Sequence, residues 1–386
     1  MTEVVIAGIG QTEVGEHWEV SLRELAYYAI DAAIKDAGGL RPQAVFAGNM
    51  LSPNLSKQAH LGVLISDFAG LKGIEATAVE AGNASGGAAL RQGYLAVASG
   101  MIDAALVVGV EKFTDLVGAG IESALATSAD SETESDQGIT LAAQAAMLMR
   151  RYMHDYNMPA DGLTGFALAA HAHGAGNKMA MFQKAIKPET YLKSDLIADP
   201  MNMFDMAPNA DGSAAIILTR RDLLPPNFSH PLVRIASSAT ASDALALHDR
   251  SDLLAFNAVK LSADKAIKQA SLDRGQINFF EYHDAFAIYA ALSLEASGFI
   301  DRGQGWTLAR DNVISIKGKL PCATMGGLKA RGNPGGATGV YQAVEATLQL
   351  RGAAGSNQIP HASAGMIQSL GGPASTAVTH ILTKIG

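Results

Sequence analysis

Thr77-Ala78-Val79-Glu80-Ala81-Gly82-Asn83-Ala84-Ser85-Gly86-Gly87 reads as a short β-prone run, a turn of small residues and the start of a helix continuing over 88–100. A strand that turns sharply into a helix holds its turn residue at the carboxyl edge of a sheet. The first N–H groups of the helix then point at whatever binds there. In hydrolases and transferases a nucleophile occupies such an apex. Here the apex is Asn83, an amide, which is not a nucleophile. Asn also tolerates left-handed backbone angles, so it serves either as a functional amide or as the residue that holds the turn.

Outward from this turn, strands and helices alternate. Val4 to Gly8 reads as a buried strand and Ser21 to Ala37 as an amphipathic helix, with Ser21 as N-cap, Glu24 three residues on, and Gly38-Gly39 as the stop. Val45 to Gly48, a helical stretch near Lys57 to Phe68, and Ala104 to Val110 continue the pattern, which implies parallel pairing in a layered α/β unit. From Lys112 to about Pro200 the β-branched runs vanish and helical spacing dominates, as in an insertion that covers a cleft. Asp211 to Leu218 returns to a strand, and the three prolines of Leu224 to Pro231 mark a boundary. Beyond it, Leu232 to Ser237, helices over 255–271 and 285–297, Ile277 to Tyr282, Ile314 to Leu320, a helix over 336–350 and Met366 to Leu382 repeat the alternation. Two similar halves are expected: 1–229, including the insertion at about 112–200, and 230–386.

Composition narrows the function. The chain has 386 residues, 48% of them hydrophobic and 17% charged, enough for a large core. A net charge of −8 with no Lys/Arg run argues against nucleic acid as partner. The single cysteine, Cys322, excludes an intramolecular disulfide and a cysteine-based zinc site. Two histidines at His171 and His173 diverge on a helix and read as surface or lining residues, so no metal site is expected. No apolar run reaches the ~18 residues of a membrane span, and the Met-Thr-Glu start enters a strand at once, unlike a signal peptide. A soluble cytoplasmic protein is expected.

The residues from Val79 to Gly87, followed by Leu95 to Gly100 and Val108-Gly109-Val110-Glu111-Lys112, resemble the nucleophile region of thiolases, nearest to the archaeal and sterol-carrier-protein branches. The resemblance extends over essentially the whole chain. It implies a five-layer αβαβα sandwich of two similar α/β halves with an inserted loop domain. It also implies that Asn83 occupies the position of the acyl-carrying cysteine.

Three further stretches gain meaning from it. His283, in Glu281-Tyr282-His283-Asp284-Ala285-Phe286, lies at a strand's carboxyl end and resembles the residue that helps bind the thioester oxygen. The stretch Gly326 to Gly339 holds six glycines, fits a loop that lets backbone approach a ligand, and resembles the loop whose Gly-His-Pro supplies the base. Asn333 stands at that histidine's position. An amide takes no proton from a thiol at neutral pH, so nucleophile and base are both absent. Gln368 to Pro373 is a glycine turn where many thiolases carry a second cysteine. In the sterol-carrier-protein branch that cysteine follows the His-Asp pair, where this chain has Ala285.

The expected catalytic residues are therefore His283, Asn333 and Asn83, with Cys322 and Ser85 as secondary candidates for a displaced nucleophile. Gly326, Gly327, Gly335 and Gly372 are expected to contact substrate or coenzyme A. The resemblance implies a thiolase-like acyltransferase or C–C lyase acting on a CoA thioester. It would make or break the adjacent C–C bond by a thiolytic, Claisen or aldol-type reaction, through an enolate and without an acyl-cysteine. The alternative is a non-catalytic subunit that binds acyl-CoA or scaffolds a partner enzyme. Coenzyme A enters as co-substrate, with no permanently bound cofactor. A homodimer is implied, and archaeal-type relatives add a small zinc-ribbon/OB-fold subunit.

Overall fold

A computed structural model of the chain describes residues 3–385. The first half runs β1 (Val4–Gln11), α1 (Leu22–Asp36), β2 (Ala44–Gly48), α2 (Ser52–Leu55), α3 (Leu61–Phe68), β3 (Glu75–Val79), α4 (Ser85–Ala98) and β4 (Ala104–Glu111). An insertion follows, with α5 (Ala119–Ala126), α6 (Leu141–Tyr156), α7 (Thr164–Gly174), α8 (Pro188–Leu192) and the small strands β5 (Leu196–Ala198) and β6 (Met201–Asn202). The chain then returns as β7 (Gly212–Arg220). The second half comprises β8 (Leu232–Ser242), α9 (Asn257–Ala270), β9 (Phe279–Glu281), α10 (Ala287–Ala296), α11 (Gly305–Arg310), α12 (Thr338–Arg351), β10 (Ala364–Gly371) and β11 (Thr376–Ile385).

The nine large strands are ordered β3-β2-β4-β7-β1-β8-β11-β10-β9. The two halves meet edge to edge at β1 and β8, through the single pairing of Val5 with Arg234. Counted outward from that seam, each half has the same order. The fifth place of the second half is reduced to an isolated parallel bridge between Phe280 and Cys322.

Five layers result. On β7, Ala215 and Ile217 join the core beneath α1 and α3, while Ala214, Ile216 and Leu218 join the core that contains α4 and α12. Both faces of the strand are covered, so Ala214 to Leu218 is an unbroken apolar run. Ile367 and Leu382 close that central core from the second half's strands, and Met366, Ala377 and Ile381 face the outer core with α9 and α10. This is the expected αβαβα sandwich.

Local signals fixed several boundaries. The Ser21 hydroxyl accepts the Glu24 N–H at 3.4 Å, and the Glu24 carboxylate accepts the Ser21 N–H at 2.9 Å, a capping box. Gly38 and Gly39, at φ +67° and +85°, end the helix. Two expectations differ. Ile314 to Leu320 forms turns rather than a strand, and Met366 to Leu382 spans two antiparallel strands joined by a short turn. The reading of His171 and His173 as surface or lining residues holds only for lining: both are buried, His171 stacked on Phe182 and His173 Nδ1 3.1 Å from the Ala323 carbonyl, and His173 lines a groove between α7 and α11.

The two central helices position the site. A Cβ on Gly339 would lie 2.2 Å from the Gly87 nitrogen, so only glycine lets the first turns of α4 and α12 approach this closely. Asn83 precedes one of these helices and Asn333 the other.

Candidate active site

Asn83 is buried, and its side chain makes no hydrogen bond among the described residues. The left-handed angle of the turn is taken by Gly82, at φ +58°, and not by Asn83. Holding the turn therefore does not account for the amide. Ser85 has a local task instead: its hydroxyl donates to the Gly82 carbonyl and accepts the Ala81 N–H at 2.9 Å.

Asn333 is fixed through its backbone. Its N–H donates to the Pro208 carbonyl at 2.9 Å, and its carbonyl accepts the Ala210 N–H at 3.1 Å. Its Oδ1 accepts a long bond of 3.4 Å from the Thr338 hydroxyl, which leaves Nδ2 without a partner among the described residues.

His283 follows β9 and is almost wholly buried, with Nδ1 unpartnered. Burial, reinforced by the Arg331 guanidinium, pushes its pKa down to about 3. The ring is therefore neutral at pH 7, with one nitrogen a donor and the other an acceptor.

These three side chains meet in one cavity of about 40 Å³, which Gly372 also lines. Among the polar members of its wall, sequence reasoning missed Glu122 on α5, Tyr289 on α10, and Asn209. Glu122 is the only carboxylate among the lining residues. Nothing in its surrounding sequence signals this, because the long-range fold of the insertion brings it here. Tyr289 carried a faint signal, as a polar group in the apolar run Ala287 to Leu292.

Buried charges hold the loops in place. The Glu111 carboxylate, fully buried at the end of β4, accepts N–H groups from Met50 (2.9 Å), Leu51 (3.1 Å) and Gly336 (3.0 Å) and the Asn49 amide (2.8 Å). It ties the loop after β2 to the segment between Asn333 and α12, and burial pushes its pKa up to about 7. Residues Gly327–Arg331 form a single π-helical turn, a distortion often found at functional sites. Asp284 accepts the Leu328 N–H at 2.7 Å, Lys329 donates to the Asp205 carbonyl at 2.6 Å, and Arg331 pairs with Glu345 at 3.1 Å. Burial lowers the Lys329 pKa to about 8.

The other expected residues lie elsewhere. A Cβ on Gly326 would crowd the Gly174 backbone, one on Gly327 would meet the Asp284 carboxylate, and one on Gly335 would meet Glu111. These three glycines pack the loop against its supports and do not line the cavity. Cys322 is also outside the lining. Its thiol donates to the Leu320 carbonyl at 3.2 Å, and burial pushes its pKa well up. Among the described residues, no three His, Cys, Asp or Glu side chains are grouped to hold a metal ion. No helix there is long and apolar enough to cross a membrane.

The same strand order recurs in the two halves of the chain, and comparison with known proteins gives the family. The chain matches the family described as thiolase, N-terminal domain, over residues 4–222, and the thiolase C-terminal domain-like family over residues 239–384. It is 41% identical to an acetyl-CoA acetyltransferase of Methanothermobacter thermautotrophicus, over the full length of both. It is 28% identical to a steroid side-chain-cleaving aldolase of Thermomonospora curvata, over 88% of each. Among solved structures, an Ltp2-ChsH2(DUF35) aldolase matches with a TM-score of 0.84 at 24% identity, covering 99% of this chain and 98% of that one. The chain belongs to the thiolase superfamily, and it is an enzyme of the acyltransferase or lyase kind.

Proposed function

We propose that this protein makes or breaks the C–C bond next to a CoA thioester by way of an enolate, without an acyl-cysteine intermediate. One observation carries the reading: the Asn83 amide, the Asn333 amide with its Nδ2 unpartnered among the described residues, and a neutral histidine converge in a cavity that the chain's single cysteine does not line. Relatives named as an acetyltransferase and an aldolase support the class of bond.

An enolate is unfavourable in water because its oxygen charge must be stabilised. Preorganised donors in a dry cleft supply that stabilisation, and removing one typically costs ~10²–10³ in rate. His283 donates a ring N–H, Asn333 donates its amide, and the N-terminus of α12 adds its positive end. His283, with a pKa near 3, is too weak a base to remove the α-proton. Glu122 takes that role on this reading. Asn83 occupies the volume that the resemblance gives to an acyl-cysteine, and its amide binds a second carbonyl or carboxylate of the substrate. Coenzyme A is the leaving or carrier group, and no resident cofactor is required.

Intact-mass spectrometry after incubation with acetyl- or acetoacetyl-CoA tests the covalent step. The expected result is an unmodified chain. A stable acyl adduct on Cys322 or Ser85 would contradict the reading. The resemblance further supports a homodimer that works with a small accessory subunit. Light scattering on an active, unaided monomer of about 40 kDa would exclude both.

A further inference from the structure

The strand that leads into His283 stops early. β9 pairs with β10 only as far as Glu281 opposite Ile367, so the chain leaves the ladder before it reaches the histidine. A side chain takes over where the strand ends. Gln342, on α12 and 2% exposed, places Nε2 2.8 Å from the Tyr282 carbonyl, 3.1 Å from the Glu281 carbonyl and 3.0 Å from the Gln368 carbonyl of β10. Its Oε1 accepts the Ser369 hydroxyl at 2.9 Å. The amide thus stands in for a strand residue beside β10, with its N–H groups shared among the carbonyls and its oxygen engaged as well. The Tyr282 carbonyl belongs to the peptide whose nitrogen is that of His283, so this hydrogen bond fixes the plane from which the imidazole projects. The ring has no tether of its own at Nδ1, which is buried and unpartnered. Gln342 does not line the cavity. It rides on the helix that follows Asn333, and so refers the two donors to one frame.

We propose that Gln342 is a positioning residue: by holding the Tyr282–His283 peptide against α12, it keeps the His283 ring N–H and the Asn333 amide aimed at one thioester oxygen. This rests on the enolate reading above and adds the residue that sets the geometry of its donors. Misplacing a catalytic group by about 1 Å costs ~10²-fold in rate, even when the substitution lies away from the chemistry. An amide that served only the fold would lower stability and leave the chemistry of the folded molecules unchanged.

α-Proton exchange of saturating acetyl-CoA in deuterated buffer, read by NMR beside equilibrium binding of the same ligand, tests it in a double-mutant cycle. Gln342→Met should slow saturated exchange about tenfold or more and leave acetyl-CoA affinity within about twofold. In a His283→Ala background the same substitution should change the rate by less than about twofold, because the group it positions is gone. The buried carboxyl of Gln342→Glu, facing carbonyl oxygens, stays protonated and donates one bond, so this variant should recover part of the loss. It carries the same cycle should Gln342→Met not fold. An unchanged exchange rate in folded Gln342→Met, or an equal loss with and without His283, would overturn the assignment. A wild type that exchanges no α-protons would instead overturn the enolate reading itself, and this assignment with it.

Discussion

Asn83 and Asn333 present the same chemistry from two halves of the chain: an amide just ahead of a helix N-terminus, facing a shared cavity. Neither can accept a proton from a thiol, which makes restoration of thiolysis a residue-scale test. In Asn83→Cys the new thiol has a reference pKa of ~8.5, which leaves little thiolate at neutral pH without a base or cation nearby. The nearby His283 is held neutral with a pKa near 3 and does not supply one. Asn83→Cys/Asn333→His should therefore exceed the single variant in thiolysis of acetoacetyl-CoA by ~10²-fold or more, the usual contribution of a positioned base. Equal rates in the two would mean that another group already serves. These residues were legible in the sequence because each sits at a strand-to-helix or loop-to-helix junction with its own local signature. Glu122 was not, because its place in the cavity depends on how the insertion folds back.

Among the elements, α4 and α12 set the site's geometry. Gly339 sits in the first turn of α12, where alanine would ordinarily favour the helix by about 1 kcal/mol. The added Cβ would lie 2.2 Å from the Gly87 nitrogen, and backbone on backbone cannot yield as a flexible side chain can. Overpacking of this kind costs about 1–3 kcal/mol, so the clash outweighs the propensity. Gly339→Ala should lower the urea midpoint and separate the two amides enough to reduce turnover. An unchanged midpoint would show that the helices are not locked by this contact. The glycines themselves were visible in the sequence as an excess over any helix or strand preference. Their task was not: Gly326, Gly327 and Gly335 pack the loop against Gly174, Asp284 and Glu111, and only long-range contacts reveal that. Ile314 to Leu320 misled for a related reason. Its alternation resembles a half-buried strand, yet the edge it would occupy is reduced to the bridge at Cys322.

Across the whole molecule, burial of ionisable groups links stability to pH in two opposed directions. His283 and His380 have pKa values of about 3 and about 4, well below the ordinary histidine value. Between pH ~6.5 and those values the unfolded chain binds protons that the native state does not. Stability therefore falls as pH falls, by roughly 1.4 kcal/mol per pH unit for each histidine. Glu111 and Glu281, raised to about 7 and about 8, do the reverse: between pH ~4.5 and those values the native state keeps protons that the unfolded chain has lost, so stability falls as pH rises through that range. His380 lies away from the cavity, with Nε2 3.1 Å from the Gly87 carbonyl, and isolates the first effect. His380→Gln should lose less stability than the wild type between pH 6.5 and 5, by about 1–2 kcal/mol, in urea melts across that range. Parallel curves would show that His380 titrates normally in the fold. The five-layer architecture was legible from the repeated alternation only with the help of the family resemblance. Periodicity gives each strand and helix but not the seam at Val5 and Arg234 that joins the halves.

The account stands on enolate stabilisation by His283 and Asn333, and α-proton exchange measures that directly. Acyl-CoA substrates held in deuterated buffer with the wild type, His283→Ala and Asn333→Ala, together with any accessory subunit, can be followed by NMR. The wild type should exchange α-protons well above the buffer rate without a burst of acylation, and each substitution should slow exchange by ~10²–10³. No exchange across a panel of acyl-CoAs would leave the protein as an acyl-CoA-binding subunit. Exchange that survives both substitutions would contradict the assignment of the donors.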